Sequence, residues 1–383
     1  MSSQSAPRAH GPAASPAATR LTWGPVSWEL HSRDPGEHHW FAEHLGVTGD
    51  HLRYAAPLHS FRIEVRPGPP TAWQIQPRPG PAILIHDARY RRTALLDRPA
   101  WVRDVRDSVD GIPHAFVRRG PDDWLVLRED HPTDQPGAAR RGLFRPAEIL
   151  AGELLNATLA TLGGITIHAS AAHRPASGAG PGRLRLPHVT LFSGHSGTGK
   201  STLALALAAE GGAFVAGDRS VLLPGRGRWH VVGAAVAARF GRGTLRAAGH
   251  AERVGAARLL RHGDTPFDEL PAPPAKAVLT QAELQRLLKV DTTAGGLLSR
   301  IVLLERSTRK TPTVAVVPAD EASAMLQSHL LSTPVPWWGQ GAELSGRLVT
   351  RPPVPVLMVR WDPRLHPVAT VLRLMDGPVQ PAG

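Results

Sequence analysis

Lys200, Ser201 and Asp218 are residue types that handle phosphate and a divalent cation, and their setting in the chain supports that use. Lys200 and Ser201 close the string Gly194-His195-Ser196-Gly197-Thr198-Gly199-Lys200-Ser201, a G-x-x-x-x-G-K-S pattern. An apolar run of strand length, Val189 to Phe192, precedes it, and a leucine- and alanine-rich run of high helix propensity follows. Glycines in such a turn let backbone N–H groups face one point, and a helix N-terminus adds its partial positive charge there. Lys200 is placed to reach β- and γ-phosphates, and the Ser201 hydroxyl to complete a Mg²⁺ shell. The loop from Gly194 through His195, Ser196, Gly197, Thr198 and Gly199 to Lys200, Ser201 and Thr202 is therefore the candidate nucleotide site. The next strand, Ala213 to Ala216, delivers Gly217-Asp218 at its C-terminal end. An acid there can hold Mg²⁺ or accept a hydroxyl proton.

The elements that must position these groups alternate from residue 163 onward as strand, helix and strand with antiparallel insertions, an α/β core. A helix is expected over 145–162, with Leu150, Leu154, Leu155, Leu159 and Leu162 on one face and Gly163-Gly164 as its stop. A strand over 165–171 follows and carries His168, on local grounds a structural histidine. After Asp218 a hairpin is expected from Ser220–Leu223 to Trp229–Val232. Residues 239–275 give weak signals and are expected to be irregular with short helices; Arg239, Arg242 and Arg246 could face phosphate or an acidic substrate there, but a solvated face is the better reading. Thr280-Gln281-Ala282-Glu283 has the capping-box pattern of a helix running to about Val290. Strands over 300–305, 313–317 and 354–361 and a helix over 319–331 complete the reading.

Upstream, residues 21–140 hold six of the ten tryptophans and short alternating stretches such as Phe61-Arg62-Ile63-Glu64-Val65 and Ala82-Ile83-Leu84-Ile85. With a hairpin from Ala115–Val117 to Trp124–Leu127, they indicate a mostly β N-terminal domain with an aromatic core and no motif that carries chemistry. A disordered Ala/Pro/Ser lead (1–20), the β domain (21–140, ending in a polar linker, Asp130 to Arg141) and the α/β domain (141–375) are the expected divisions.

Composition narrows the classes. The chain has 383 residues and no cysteine, which excludes a disulfide framework, thiolate metal sites and a cysteine nucleophile. No apolar run is long enough to span a bilayer, and the first residues lack a signal-peptide core, so no membrane partner and a cytoplasmic location are expected. The net charge is +12, yet lysine occurs only at 200, 276, 289 and 310; the other basic residues are scattered arginines. That spread fits a solvated basic surface better than a nucleic-acid footprint.

From His168 to Asp218 the sequence resembles the catalytic domain of the HPr kinase/phosphorylase family, a phosphate-loop fold related to phosphoenolpyruvate carboxykinase. The matching features are a strand with His168, the loop Gly194–Ser201, a helix, and a strand ending at Asp218, seventeen residues beyond Ser201. The resemblance implies ATP and Mg²⁺ as cofactors, Asp218 as proton acceptor from a substrate serine, and catalytic roles for His168 and Lys200, with Ser201 and Asp218 at the metal. It implies a peptide or protein serine as acceptor and leaves room for a homo-oligomer. Two positions depart from the pattern: Gly217 stands where the family has a first aspartate, and His230 where it has a metal-binding glutamate. These departures, with an unrelated N-terminal region, make the chain most similar to divergent HPr-kinase-like proteins found with peptide-modifying gene clusters. They keep a second class open, a nucleotide-binding scaffold with little or no catalysis.

Overall fold

Alternation along Phe61–Val65 puts Phe61, Ile63 and Val65 on one face of a strand, and in the computed structural model all three are buried. The structure describes residues 17–45, 57–68, 76–77, 91–95, 98–103, 113–129, 145–174, 187–225, 227–234, 236–259, 266–269, 276–331, 352 and 354–377. Most of the N-terminal lead, Trp73, the stretch Ala82–Ile85 and the Asp130–Arg141 linker lie outside the described residues.

The first sheet holds β1 (Ala17–Trp23), β2 (Val26–Ser32), β3 (His59–Pro67), β4 (Gln76–Pro77), β5 (Arg91–Leu95), β6 (Arg98–Arg103), β7 (His114–Arg118) and β8 (Asp123–Arg128). Their order is β1-β2-β3-β8-β7-β6-β5-β4, and the expected hairpin is β7–β8. Two pairings, β2–β3 and β3–β8, are parallel, the first made possible by a crossover helix, Pro35–Leu45, that the sequence reading lacks. Trp23, Trp28, Trp40, Trp101 and Trp124 are all buried, the use expected of them.

The helix Arg145–Thr161 differs from the amphipathic helix expected there. Nearly its whole circumference is buried. Leu150, Leu154, Leu155 and Leu159 share a core with Trp23, Trp28, Phe61 and Trp124 of the first sheet and with Val221, Leu223 and Val232 of the second. A helix between two sheets buries both sides, at up to about 1.5–3 kcal/mol for each leucine removed from water. Leu162, expected on its apolar face, lies past its end and is exposed.

The remaining strands are β9 (Ile165–Ile167), β10 (Ala169–Arg174), β11 (His188–Gly194), β12 (Ala213–Ala216), β13 (Ser220–Gly225), β14 (Arg228–Gly233), β15 (Ala238–Gly241), β16 (Lys276–Leu279), β17 (Asp291–Thr292), β18 (Gly295–Arg306), β19 (Thr313–Val316) and β20 (Val356–Trp361). The second sheet runs β17-β12-β10-β11-β18-β14-β13-β9, with β20 also on β18 and β19 on β20. In it β11, β18 and β20 are parallel, so their C-terminal ends meet at one edge. The overall class is a mixed α/β fold.

Three expectations are corrected in detail. The single strand 165–171 is two, because β9 pairs with β13 at the sheet edge while β10 enters between β11 and β12. His168 sits at the break, its N–H donated to the His329 carbonyl. The stretch 239–275 has its short helices, Arg242–Ala247 and Ala251–Gly255, and also β15, which pairs with β16 across more than thirty residues. The helix begun at Thr280 widens into a π-turn at 284–288 and stops at Lys289, whose φ is 58°.

Candidate functional site

At the end of β11 the backbone approaches β18 so closely that a Cβ on Gly194 would strike the Leu304 carbonyl. The chain then turns through Gly197 and Gly199, with φ of 81° and 93°, both left-handed and open to glycine at no steric cost. Gly199 is the N-cap of the helix Lys200–Ala209, whose first amides have no carbonyl of their own helix to bind. Leu203, Leu205 and Leu207 bury the far side of this helix with Phe192, Val302, Val359 and Trp361. That packing fixes the helix end against the sheet.

Inside the turn, Lys200 Nζ donates to the carbonyl oxygens of Gly194 (2.8 Å) and His195 (3.0 Å), and the Thr198 hydroxyl donates to His195 O (2.8 Å). Ser201 Oγ donates to the Gly217 carbonyl at 2.9 Å. Ser170 Oγ donates to the same oxygen at 2.6 Å and lies 3.1 Å from Ser201 Oγ. Two hydroxyls on one carbonyl tie the helix start, through Ser201, and β10, through Ser170, to the end of β12, where Asp218 follows. Across the break between β9 and β10, His168 Nε2 stands 2.8 Å from Asp218 Oδ1.

His168, Ser196, Gly197, Gly199, Lys200, Ser201, Thr202 and Asp218 line one cleft of about 390 Å³. Gly194, His195 and Thr198 do not line it; their carbonyls hold Lys200 and Trp361 from behind. His195 is exposed and meets His329 edge-on at 5.2 Å. The sequence reading missed Lys276, Thr244 and Arg364, which also line the cleft, and set Arg239 aside as a solvated residue although it lines the cleft too. Arg242 is tied instead to the Phe267 and Asp268 carbonyls, and Arg246 is not among the lining residues. A signal for Lys276 did exist: in a chain that uses arginine almost everywhere, two of its four lysines face this cleft. His230 lies on the β13–β14 hairpin beside Gly225, away from the cleft lining.

The charges act on one another. A hydrogen bond from His168 holds the Asp218 carboxyl below the usual aspartate range, with Lys200 and Lys276 adding to the effect and partial enclosure opposing it. Its side chain is still 76% exposed, because it projects into open cleft. Burial pushes Lys200 below the usual lysine range; Asp218 opposes that shift and Lys276 reinforces it. With Asp218 ionised, His168 Nε2–H is the donor of the pair.

Among the described residues no three His, Asp or Glu side chains are clustered as a metal cage. Magnesium needs none: it is held by one or two carboxylates together with substrate phosphates and water. Asp218 and the Ser201 hydroxyl, lining one cleft, fit that donor set. A second cleft, about 210 Å³, lies at the other end of β11. Its arginines are neutralised: Arg174 pairs with Glu210 and Asp376, and Arg300 with Asp376.

No family model matches the chain, and no curated protein matches it. Among solved structures, the Hpr(Ser) kinase/phosphatase from Coxiella burnetii aligns with 55% of this chain and 99% of its own, at 11% identity and a TM-score of 0.26. A superposition that loose carries no argument about activity. Among the described residues no helix is long and apolar enough to cross a membrane.

Proposed function

We propose that the chain is an ATP-dependent kinase with a phosphate-loop core, and that it moves the γ-phosphate onto a hydroxyl, a serine of a peptide or protein being the acceptor class. In this reading residues 141–375 are the catalytic unit, 21–140 a mostly β unit packed on it, and the protein works in the cytoplasm. One observation carries the proposal: Lys200, Ser201 and the His168–Asp218 pair, from three separate elements, converge on a single cationic cleft.

The chemistry follows from the charges. The loop amides and Lys200 hold the β- and γ-phosphates, and Ser201 and Asp218 would hold Mg²⁺, which would offset phosphate charge. The acceptor hydroxyl gives its proton to Asp218 as its oxygen bonds to the γ-phosphorus; the bond to the β–γ bridging oxygen breaks and ADP leaves. A carboxyl held at low pKa is a weak base, which suits a transfer in which the proton moves late and positioning supplies most of the rate. His168 keeps Asp218 ionised and oriented.

The test is transfer of labelled γ-phosphate from ATP to a panel of serine peptides, with Asp218→Asn as control. An unchanged rate in that variant sinks the role given to Asp218. Among the described residues the cleft is lined by a single carboxylate, with Gly217 beside it, and this favours one second reading: a nucleotide-binding scaffold. Tight nucleotide binding with no transfer under any acceptor selects it.

A further inference from the structure

The glycine loop and the residues after β20 emerge at the same sheet edge, because β11, β18 and β20 run parallel. Ligands of open α/β sheets bind at this carboxyl edge. Trp361, the last residue of β20, is wholly buried, and its indole N–H donates to the Thr198 carbonyl at 2.9 Å. Its ring fills the space that a Cβ on Gly199 would need. One side chain thus holds the backbone of the loop at the residue before the helix.

From the next residue on, the chain is locked again. Asp362 is buried, and its carboxylate accepts from the Arg364 N–H and from Arg306 Nε, each at 2.8 Å. The Asp362 N–H donates to His366 Nδ1 at 2.9 Å, and its carbonyl accepts from the N–H groups of Leu365 and His366. His366 in turn donates from Nε2 to the Arg309 carbonyl. These bonds pin the backbone of the turn, which presents Pro363 and Arg364 to the cleft beside Gly199 and Lys200. The Arg364 guanidinium is exposed and makes no ion pair or side-chain hydrogen bond among the described residues, unlike Arg306, Arg174 and Arg219.

We propose that this turn is part of the nucleotide site: Arg364 contacts the phosphate chain of the nucleotide lying on the glycine loop, and Trp361 is the positioning residue that holds the Thr198–Gly199 backbone beneath it. The proposal rests on the nucleotide reading given above. A guanidinium fork suits two phosphate oxygens at once. The hydrogen bonds of the turn fix the backbone that carries Arg364, so binding has to order its side chain alone.

The test is calorimetric titration of the full chain with a non-hydrolysable ATP analogue, ADP and AMP, for wild type, Arg364→Gln, Arg364→Lys, Trp361→Phe and Lys200→Ala. Arg364→Gln should weaken the triphosphate about tenfold or more, the size of one charged hydrogen bond, and AMP far less. Arg364→Lys should recover part of the loss. Trp361→Phe keeps most of the ring and removes the N–H, so the ratio of triphosphate to AMP affinity should fall, a change that lower stability alone does not produce. If it fails to fold, the Arg364 variants decide the question. Wild-type binding by Arg364→Gln while Lys200→Ala loses it overturns the role of Arg364 and leaves the nucleotide reading standing. An unchanged affinity ratio in Trp361→Phe overturns the role of Trp361. A wild type that binds no nucleotide overturns the reading itself, and this proposal with it.

Discussion

His168 and Asp218 are fifty residues apart in sequence, and their side chains meet at 2.8 Å because the chain breaks its strand at one and ends a strand at the other. The bond keeps Asp218 ionised and aimed into the cleft. Asp218 adds little to folding: its depressed pKa gives stability present above about pH 3.9 and lost as the pH falls through the folded value, and solvent screens it.

Asp218→Asn should therefore leave the fold intact and remove the proposed proton acceptor. Transfer should fall about 10²- to 10⁴-fold, the usual contribution of a positioned acid or base. Nucleotide affinity measured without metal should hold or rise, since a negative charge near the phosphates is gone. Rate and affinity measured on one preparation separate the two effects.

His168→Ala tests the other half of the pair through pH. Its hydrogen bond is the largest cause of the low Asp218 pKa, so without it that pKa should rise toward the ordinary aspartate value. A base is active when ionised, and the acid limb of the rate profile should move to higher pH. Near neutrality Asp218 stays ionised in both proteins, so any loss there reports orientation and not protonation.

Much of this site was legible in sequence because it is local. A glycine turn between a strand and a helix uses neighbouring residues, and the loop Gly194–Ser201 formed where the pattern placed it. Lys276 and Arg364 were not legible, since β16 meets β15 across a long excursion and Arg364 follows a strand that reaches the loop only through the sheet order. His168 is intermediate. Its position could be read, but the break that frees its ring depends on β9 and β10 pairing with different strands. The helix Arg145–Thr161 reads as one-faced because a single-residue pattern cannot reveal a second sheet behind it.

Burial lowers the Lys200 pKa in the free protein. Between that lowered value and the ordinary one near 10.4, the unfolded chain binds more protons than the folded one, and the stability contribution of Lys200 rises with pH. Phosphate binding reverses the preference, since it favours the charged amine. Nucleotide affinity should fall as pH climbs through the lowered value, and binding there should take up protons. Titrations in buffers of different ionisation heat measure the uptake, and Lys200→Arg should abolish it.

Thr280 forms a complete capping box: its hydroxyl accepts from the Glu283 N–H at 3.0 Å, and Glu283 accepts from the Thr280 N–H at 2.8 Å. Both residues are fully buried, so water cannot replace the lost partner. Thr280→Ala should cost about 1–2 kcal/mol, toward the upper end for a cap, and Thr280→Ser much less. Denaturant unfolding at constant slope is the measurement.

The two glycines at the site should answer opposite ways to alanine. Gly199 has a φ of 93°, and a Cβ there would enter the Trp361 ring. Gly199→Ala should therefore destabilise by at least about 1–2 kcal/mol from the left-handed backbone alone and impair nucleotide binding with it. Gly217 has no left-handed φ, and a Cβ there would meet Ala238, Phe214 and the Arg239 amide nitrogen at 3.7–3.8 Å, ordinary contact. Gly217→Ala should stabilise by about 0.4–1 kcal/mol by restricting the unfolded chain, and its carbonyl should still serve Ser170 and Ser201. The fold thus tolerates a side chain at 217, and the missing carboxylate there is not forced by backbone geometry. Gly217→Asp should fold and steepen the magnesium dependence of nucleotide binding. If that dependence is unchanged, the single carboxylate of Asp218 already suffices for the metal.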